Sequence, residues 1–234
     1  MANNLNSFIG TLNPNEVTVV AGTPGSGKTS LALSVALQFA LRGKKVAIFS
    51  IEMLDKHMIK MLVCQYAEVS LKKFLTGEAN KDEWERVKSA AKALSNSNIV
   101  VDDSCKITPA EINLKCRRLE EKNGKIDLII VDYLQLLFDN DRKNPPKKEL
   151  YVLLFDELKQ VATELNAAVL VTLQAAIRLE WREYYERYIS EEIQPLWLLC
   201  REIYSSQARL EAVQGENAGK IIPLTFNRES LQLR

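Results

Sequence analysis

The sequence contains few of the residues that build metal sites or disulfide frameworks. Its 234 residues include only 4 cysteines and 1 histidine. The cysteines are scattered and no two form a CxxC motif, so we expect neither a zinc site nor a disulfide framework. We interpret them as buried free thiols in a protein of the reducing cytosol. They are Cys64, Cys105, Cys116 and Cys200. His57 has no second histidine to act with, so we assign it no role.

Long hydrophobic runs and a large net charge are also missing. No stretch of about 18 apolar residues occurs, and the N-terminal residues lack a basic region followed by an apolar one, which disfavours membrane spanning and export and favours the cytoplasm. Lys plus Arg number 31 and Asp plus Glu 30, so overall charge does not indicate nucleic acid, although a local basic patch stays open. The composition is that of a globular protein, and the length fits one domain over residues 1–234.

Short apolar runs alternate with segments of helical periodicity, which predicts an α/β fold with a mostly parallel, twisted sheet flanked by helices. Strands are predicted at 17–21, 45–50, 99–102, 126–132 and 169–173, and helices at 30–42, 55–67, 82–94 and 150–165. A capping box at Thr108 and Glu111, with Pro109 between them, predicts another helix. Residues 209–213 and 221–226 flank a glycine-containing turn and predict a C-terminal antiparallel β-hairpin.

A glycine-rich loop between the first strand and the first helix points to phosphate binding. Residues 22–29 match the pattern GxxxxGK[ST] in full, and both flanking elements agree with it. Glycines let backbone N–H groups turn toward phosphates, Lys28 can reach the outer phosphates, and the Thr29 hydroxyl can ligate Mg²⁺. The predicted ATP-binding residues are Gly22, Thr23, Pro24, Gly25, Ser26, Gly27, Lys28, Thr29 and Ser30.

Three polar residues at or just past strand ends are candidates for the rest of the site. Asp132 is the best candidate for a carboxylate that serves Mg²⁺, the alternative being a cap or turn residue. Glu52 could orient or deprotonate water, or be a solvated surface residue. Gln174 could sense the γ-phosphate or make a structural hydrogen bond. The residues alone leave these alternatives open.

Residues 178–188 combine arginines with a tryptophan and tyrosines, a mixture that can hold a nucleic-acid backbone and stack bases. Glutamates interleave with them, including Glu180, Glu183 and Glu186. The segment is therefore better interpreted as an exposed helix or a subunit contact.

Further stretches accompany the phosphate loop: residues 43–53 (GKKVAIFSIEM), 108–112 (TPAEI) and 127–136 (DLIIVDYLQL). With them, the chain resembles the C-terminal ATPase domain of DnaB-type hexameric replicative helicases. The resemblance implies a RecA-like fold, ATP bound between the subunits of a ring around single-stranded DNA, and a helicase loader or primase as a partner. It also implies that Glu52 activates water, Asp132 serves Mg²⁺ and Gln174 couples nucleotide to DNA, with Lys28 completing the catalytic set.

The sequence departs from that family's pattern at several points. The family's helical N-terminal domain is expected to be absent. No Arg or Lys lies in residues 213–219, where the family has a basic finger, and Lys220 and Arg209 are the nearest substitutes. Leu173 replaces a serine, and the DNA-loop region at 178–195 is shorter. We expect a helicase ATPase, with two alternatives: an ATPase switch or regulator without helicase activity, and a nucleotide-binding assembly module with little turnover.

Overall fold

The computed structural model describes residues 2–22, 25–104, 107–137, 147–174, 197–200 and 221–224. The helices are α1 (Ala2–Ile9), α2 (Lys28–Leu41), α3 (Asp55–Tyr66), α4 (Leu71–Thr76), α5 (Lys81–Ser95), α6 (Pro109–Asn123), a short 3-10 helix (Leu134–Leu136) and α7 (Lys147–Leu165). The strands are β1 (Val17–Gly22), β2 (Val46–Ser50), β3 (Ile99–Asp102), β4 (Leu128–Asp132), β5 (Ala168–Gln174), β6 (Trp197–Cys200) and β7 (Ile221–Leu224).

These strands form one sheet in the order β3-β2-β4-β5-β1-β6-β7, and every described pair is parallel. Strands β1, β2 and β4 are buried along their whole length, as expected for apolar strands covered by helices on both faces. The predicted parallel sheet flanked by helices is confirmed.

Two apolar cores lie on opposite faces of the sheet. Alternate residues of β2 serve one or the other, because successive side chains of a strand point to opposite faces. Ala47 and Phe49 belong to the core that includes α6 and α7, whereas Val46 and Ile48 belong to the core that includes α1, α2 and α3. The sheet is therefore held rigidly from both sides.

Two of the four cysteines lie within the described side chains, and both are free and buried, as predicted. Burial raises the pKa of the Cys64 thiol. Burial and nearby carboxylates raise the pKa of Cys116 to about 12. Both are therefore protonated and unreactive at neutral pH.

Several elements differ from the sequence-based expectations. Helix α7 begins at Lys147, three residues before the predicted start at residue 150, consistent with the good helix propensity of lysine. Helices α1 and α4 were not predicted, and α4 has six residues with none buried, too few for a periodic apolar stripe.

The predicted C-terminal hairpin stays a prediction. The first predicted strand of the hairpin, residues 209–213, lies outside the described residues. The second, residues 221–226, contains β7, which pairs in parallel with β6. Among the described helices, none is both long and apolar enough to cross a membrane.

Candidate nucleotide-binding site

The carboxyl ends of four central strands lie along one edge of the sheet. Gly22 at the end of β1 is in register with Gln174 at the end of β5, and Ser50 at the end of β2 is in register with Asp132 at the end of β4. Glu52 lies two residues beyond Ser50. Parallel strands gather ligand-binding groups at this edge, and the topology places Gly22, Glu52, Asp132 and Gln174 there together.

The glycine-rich loop leads into the start of α2. Gly25 and Gly27 have φ angles of 72° and 91°, in the left-handed region that favours glycine. A Cβ at either position would meet no atom within 4 Å, so backbone conformation and not space requires glycine here. Gly27 is the N-cap and, having no side chain, provides no side-chain cap to the first turn of α2. Thr23 and Pro24 lie outside the described residues.

Ser26 supplies an observation that bears on ligand binding. Its Oγ is buried and has no hydrogen-bond partner among the described residues. A buried hydroxyl without a partner costs about 1–3 kcal/mol, and a donor beside a helix N-terminus suits a phosphate oxygen. Lys28 and Thr29, both half-buried, follow at once on α2. The polar groups of the loop fit the phosphates of a nucleotide.

Asp132 is joined to the phosphate loop. Its side chain is 2% exposed, one oxygen accepts a hydrogen bond of 2.9 Å from Thr29 Oγ1, and the other accepts one from Thr172 Oγ1. The carboxylate therefore faces the loop and caps no helix. A carboxylate beside a hydroxyl is the oxygen ligand set that Mg²⁺ takes when phosphates and water complete its coordination. Thr29 and Asp132, the two predicted metal ligands, thus lie in direct contact and fit the ion.

Glu52 lies close to Asp132 on the same edge. The Ile51 N–H donates to the Asp132 carbonyl at 2.9 Å, and Glu52, the next residue, is exposed. Burial, followed by the negative charges of Glu52 and Asp132, raises the pKa of the Tyr133 hydroxyl. Glu52 and Asp132 therefore both lie close enough to the Tyr133 hydroxyl to influence its pKa.

Gln174 ends β5 with its side chain exposed, and its backbone is held by Gln135. Gln135 Nε2 donates to the Gln174 carbonyl at 2.6 Å, and the Gln174 N–H donates to Gln135 Oε1 at 3.2 Å. Two residues of the site, Thr172 and Gln135, escaped the sequence analysis. Thr172 had a usable signal, since a polar residue inside an apolar strand, here 0% exposed, requires a partner.

Residues 213–219, where the family has a basic finger, the nearest substitutes Arg209 and Lys220, and the segment 178–195 lie outside the described residues. Their predicted roles stay predictions.

A parallel sheet whose first strand leads through a left-handed glycine loop into an uncapped helix, faced by a buried aspartate on a neighbouring strand, defines a RecA-like P-loop nucleotide-binding protein. The chain belongs to the family of the DnaB-like helicase C-terminal domain, which it matches over residues 2–191.

Known proteins agree with this placement. The replicative DNA helicase DnaC of Bacillus subtilis (strain 168) is 33% identical over 170 residues, which are 72% of this chain and 37% of that protein. A solved DnaB-like replicative helicase, described with its interactions with primase, matches with a TM-score of 0.67 and 26% identity over 74% of this chain and 42% of its own. A solved ATPase domain matches with a TM-score of 0.66 and 27% identity, covering 74% of this chain and 61% of its own. The chain thus spans well under half the length of the first of these relatives.

Proposed function

We propose that the chain is the motor domain of a DnaB-type replicative helicase, which hydrolyses MgATP and couples hydrolysis to translocation on single-stranded DNA in the cytoplasm. The contact of Thr29 with the buried Asp132, at the uncapped start of α2, is the observation that carries the proposal. Family membership supports it. In this proposal the working unit is a hexameric ring with ATP between subunits, and a helicase loader or primase is a partner.

Each part of the site has one task in this reaction. The N–H groups around Gly25 and Gly27 hold the phosphates, and Lys28 places its charge on the outer ones. Thr29 and Asp132 would hold Mg²⁺, which would supply positive charge to neutralise that of the phosphates. Because Thr172 also donates to Asp132, the carboxylate is fixed before the nucleotide arrives.

Glu52 performs the proton transfer. Its carboxylate orients the attacking water and accepts a proton as the water oxygen bonds to the γ-phosphorus and the bond to the leaving ADP oxygen breaks. Gln174, in register with Gly22 of the phosphate loop, detects the γ-phosphate with its amide and passes the nucleotide state to the chain that follows β5.

A DnaB-like ATPase switch without helicase activity is the second candidate. It is favoured by residues 213–219, which hold no Arg or Lys where the family carries a basic finger. A cation supplied to the γ-phosphate is worth about 10³-fold or more in rate in comparable sites, so a switch could function without it at low turnover. A nucleotide-binding assembly module is the limiting case, with almost no turnover.

One assay separates these functions: ATP hydrolysis measured with and without single-stranded DNA, with size exclusion under the same conditions. A ring-sized assembly with DNA-stimulated turnover supports the helicase. Turnover that DNA does not change supports the switch. Tight binding with near-zero turnover supports the module and contradicts the proposed ATPase.

A further inference from the structure

A side-chain amide takes the place of a missing strand neighbour at the end of β5. The parallel pairing of β4 with β5 runs from Leu128 and Ala168 to Val131 and Val171. Strand β5 continues to Gln174, where β4 has already ended. There the Gln135 side chain donates to the carbonyl and accepts from the N–H of Gln174, at 2.6 and 3.2 Å.

The Gln135 side chain can replace a strand backbone here, because a carboxamide has an N–H donor and a C=O acceptor, as a peptide group does. The Gln135 amide therefore prolongs the sheet ladder beyond the last residue of β4. Without it, the N–H and the carbonyl of Gln174 would both lose this partner, and we expect the end of the strand to fray.

Gln135 itself is held firmly. It is the middle residue of the 3-10 helix Leu134–Leu136, three residues after Asp132. Leu134 and Leu137 on either side are 0% and 6% exposed and belong to the core under α6 and α7. The Leu137 N–H donates to the Leu134 carbonyl at 3.0 Å, which closes the turn. The Gln135 amide is therefore anchored by the buried leucines around it, only three residues along the chain from Asp132, the candidate metal ligand.

We propose that Gln135 is a positioning residue: it fixes the backbone of Gln174 relative to Asp132, so that the Gln174 amide meets the γ-phosphate in one geometry and turnover responds to DNA. The inference rests on the function proposed above, since it assigns the coupling role to Gln174. It adds a residue that contacts neither nucleotide nor DNA in this scheme and that acts on turnover only through Gln174.

The test compares Gln135→Ala, Gln174→Ala and the double variant with the wild type. Gln135→Ala should lower DNA-stimulated kcat about tenfold, with the KM for ATP within about twofold, because two hydrogen bonds that orient Gln174 are lost and the phosphate loop is untouched. In the double variant, Gln135→Ala should add no further loss to that of Gln174→Ala. Gln135→Glu retains the acceptor but not the donor and should also be defective.

Gln160→Ala is the matched control, because Gln160 is an exposed glutamine whose amide donates to Glu164 Oε1 at 2.8 Å on α7, away from the site edge. It should retain wild-type turnover. The inference would be overturned if Gln135→Ala lowered kcat by the same factor in the wild type and in the Gln174→Ala variant. It would also be overturned if Gln135→Ala lowered the ATPase rate only by raising the KM for ATP.

Hydrogen exchange at the Gln174 amide decides the same point without turnover. Gln135→Ala should accelerate it about tenfold or more while amides in the middle of β5 are unchanged. Unchanged exchange at Gln174 would overturn the inference. A wild type without ATP hydrolysis would instead contradict the proposed function, and the exchange result would still show whether Gln135 fixes Gln174.

Discussion

Three helices of the protein begin in two different ways. Helix α5 begins with a capping box in which Asn80 Oδ1 accepts from the Glu83 N–H at 2.9 Å and Glu83 Oε2 accepts from the Asn80 N–H at 2.8 Å. Helix α6 repeats it with Thr108 and Glu111 at 3.2 and 2.8 Å. Helix α2 has Gly27 at the same place, no side-chain cap and no acidic residue in its first turn.

The difference separates two helix starts that the chain caps with its own side chains from one that it does not. At α5 and α6 the chain satisfies the first N–H donors with its own oxygens, which stabilises each helix by about 1 kcal/mol. At α2 the N-cap residue supplies no such oxygen, the Ser26 hydroxyl next to it is buried without a partner among the described residues, and Lys28 adds positive charge to the positive end of the helix dipole. An anion bound at that end would therefore be stabilising.

The largest effect is expected from Lys28→Ala. Removing the cation should lower ATP turnover by about 10³-fold, because its charge is matched to the outer phosphates, and the thermal midpoint of unfolding should change little. Steady-state ATPase rates and thermal unfolding measure the two quantities. Lys88→Ala is the control, since Lys88 forms an exposed ion pair with Glu85 on α5. If Lys28→Ala hydrolysed ATP at the normal rate, the start of α2 would not be part of the ATP site.

Glu52→Gln separates anion binding from chemistry. The variant retains the shape of the side chain but not the base, so hydrolysis should slow by about 100-fold while nucleotide affinity stays the same. Single-turnover hydrolysis and equilibrium nucleotide binding provide the comparison, with the exposed Glu85→Gln as a control. Should the variant hydrolyse ATP at the normal rate, another group activates the water.

Thr108→Ala tests the other side of the comparison. Loss of the cap on α6 should lower the free energy of unfolding by about 1 kcal/mol without changing turnover. Saturating MgATP at 100 times its dissociation constant should stabilise this variant and the wild type alike, by about 2.7 kcal/mol. Denaturant titrations with and without MgATP measure both effects. A nucleotide-dependent difference between the two proteins would show that α6 is not purely structural.

The smallest effect concerns pH. The Lys73 ammonium, followed by the Asn80 N–H, holds the pKa of Glu83 below its ordinary value, so the folded state binds fewer protons at this group than the unfolded state does. Its stabilisation is present above the unfolded pKa and is lost as the pH falls through the folded value. The difference in thermal midpoint between wild type and Glu83→Gln should therefore shrink from about pH 6 to pH 3. A constant difference would contradict the role of the carboxylate.

The sequence predicted what depends on neighbouring residues. The capping box of Thr108 and Glu111 and the phosphate loop each lie within a few positions of the chain, so their patterns can be read directly, and the apolar runs predicted most of the described strands. The start of α5 was placed at 82 from its acidic residues, whereas the cap is Asn80. An asparagine is also common in loops, so it marks the helix start less clearly.

The sequence did not predict contacts that depend on sheet register. Thr172 with Asp132 and Gln135 with Gln174 join residues 40 and 39 positions apart. The register that pairs Val131 with Val171 brings Asp132 beside Thr172, whereas Gln135 reaches Gln174 because β4 ends before β5 does. Strand lengths and the relative shift of two strands follow from packing across the whole sheet, which local patterns do not contain. The polar residues at strand ends could therefore be named from the sequence as candidate site residues, but the residues that hydrogen-bond to them could not.

The order of strands also determines when the nucleotide site can form during synthesis. Strand β1, which leads into the phosphate loop, lies between β5 and β6, so Val17 pairs with Val169 and Val19 with Trp197. A ribosome delivers the chain from its N-terminus, so β1 emerges about 150 residues before its first strand neighbour. Closing so long a loop makes this pairing slow. A nascent chain that ends before β5 thus carries the complete phosphate-loop sequence without the sheet that gives the loop its geometry.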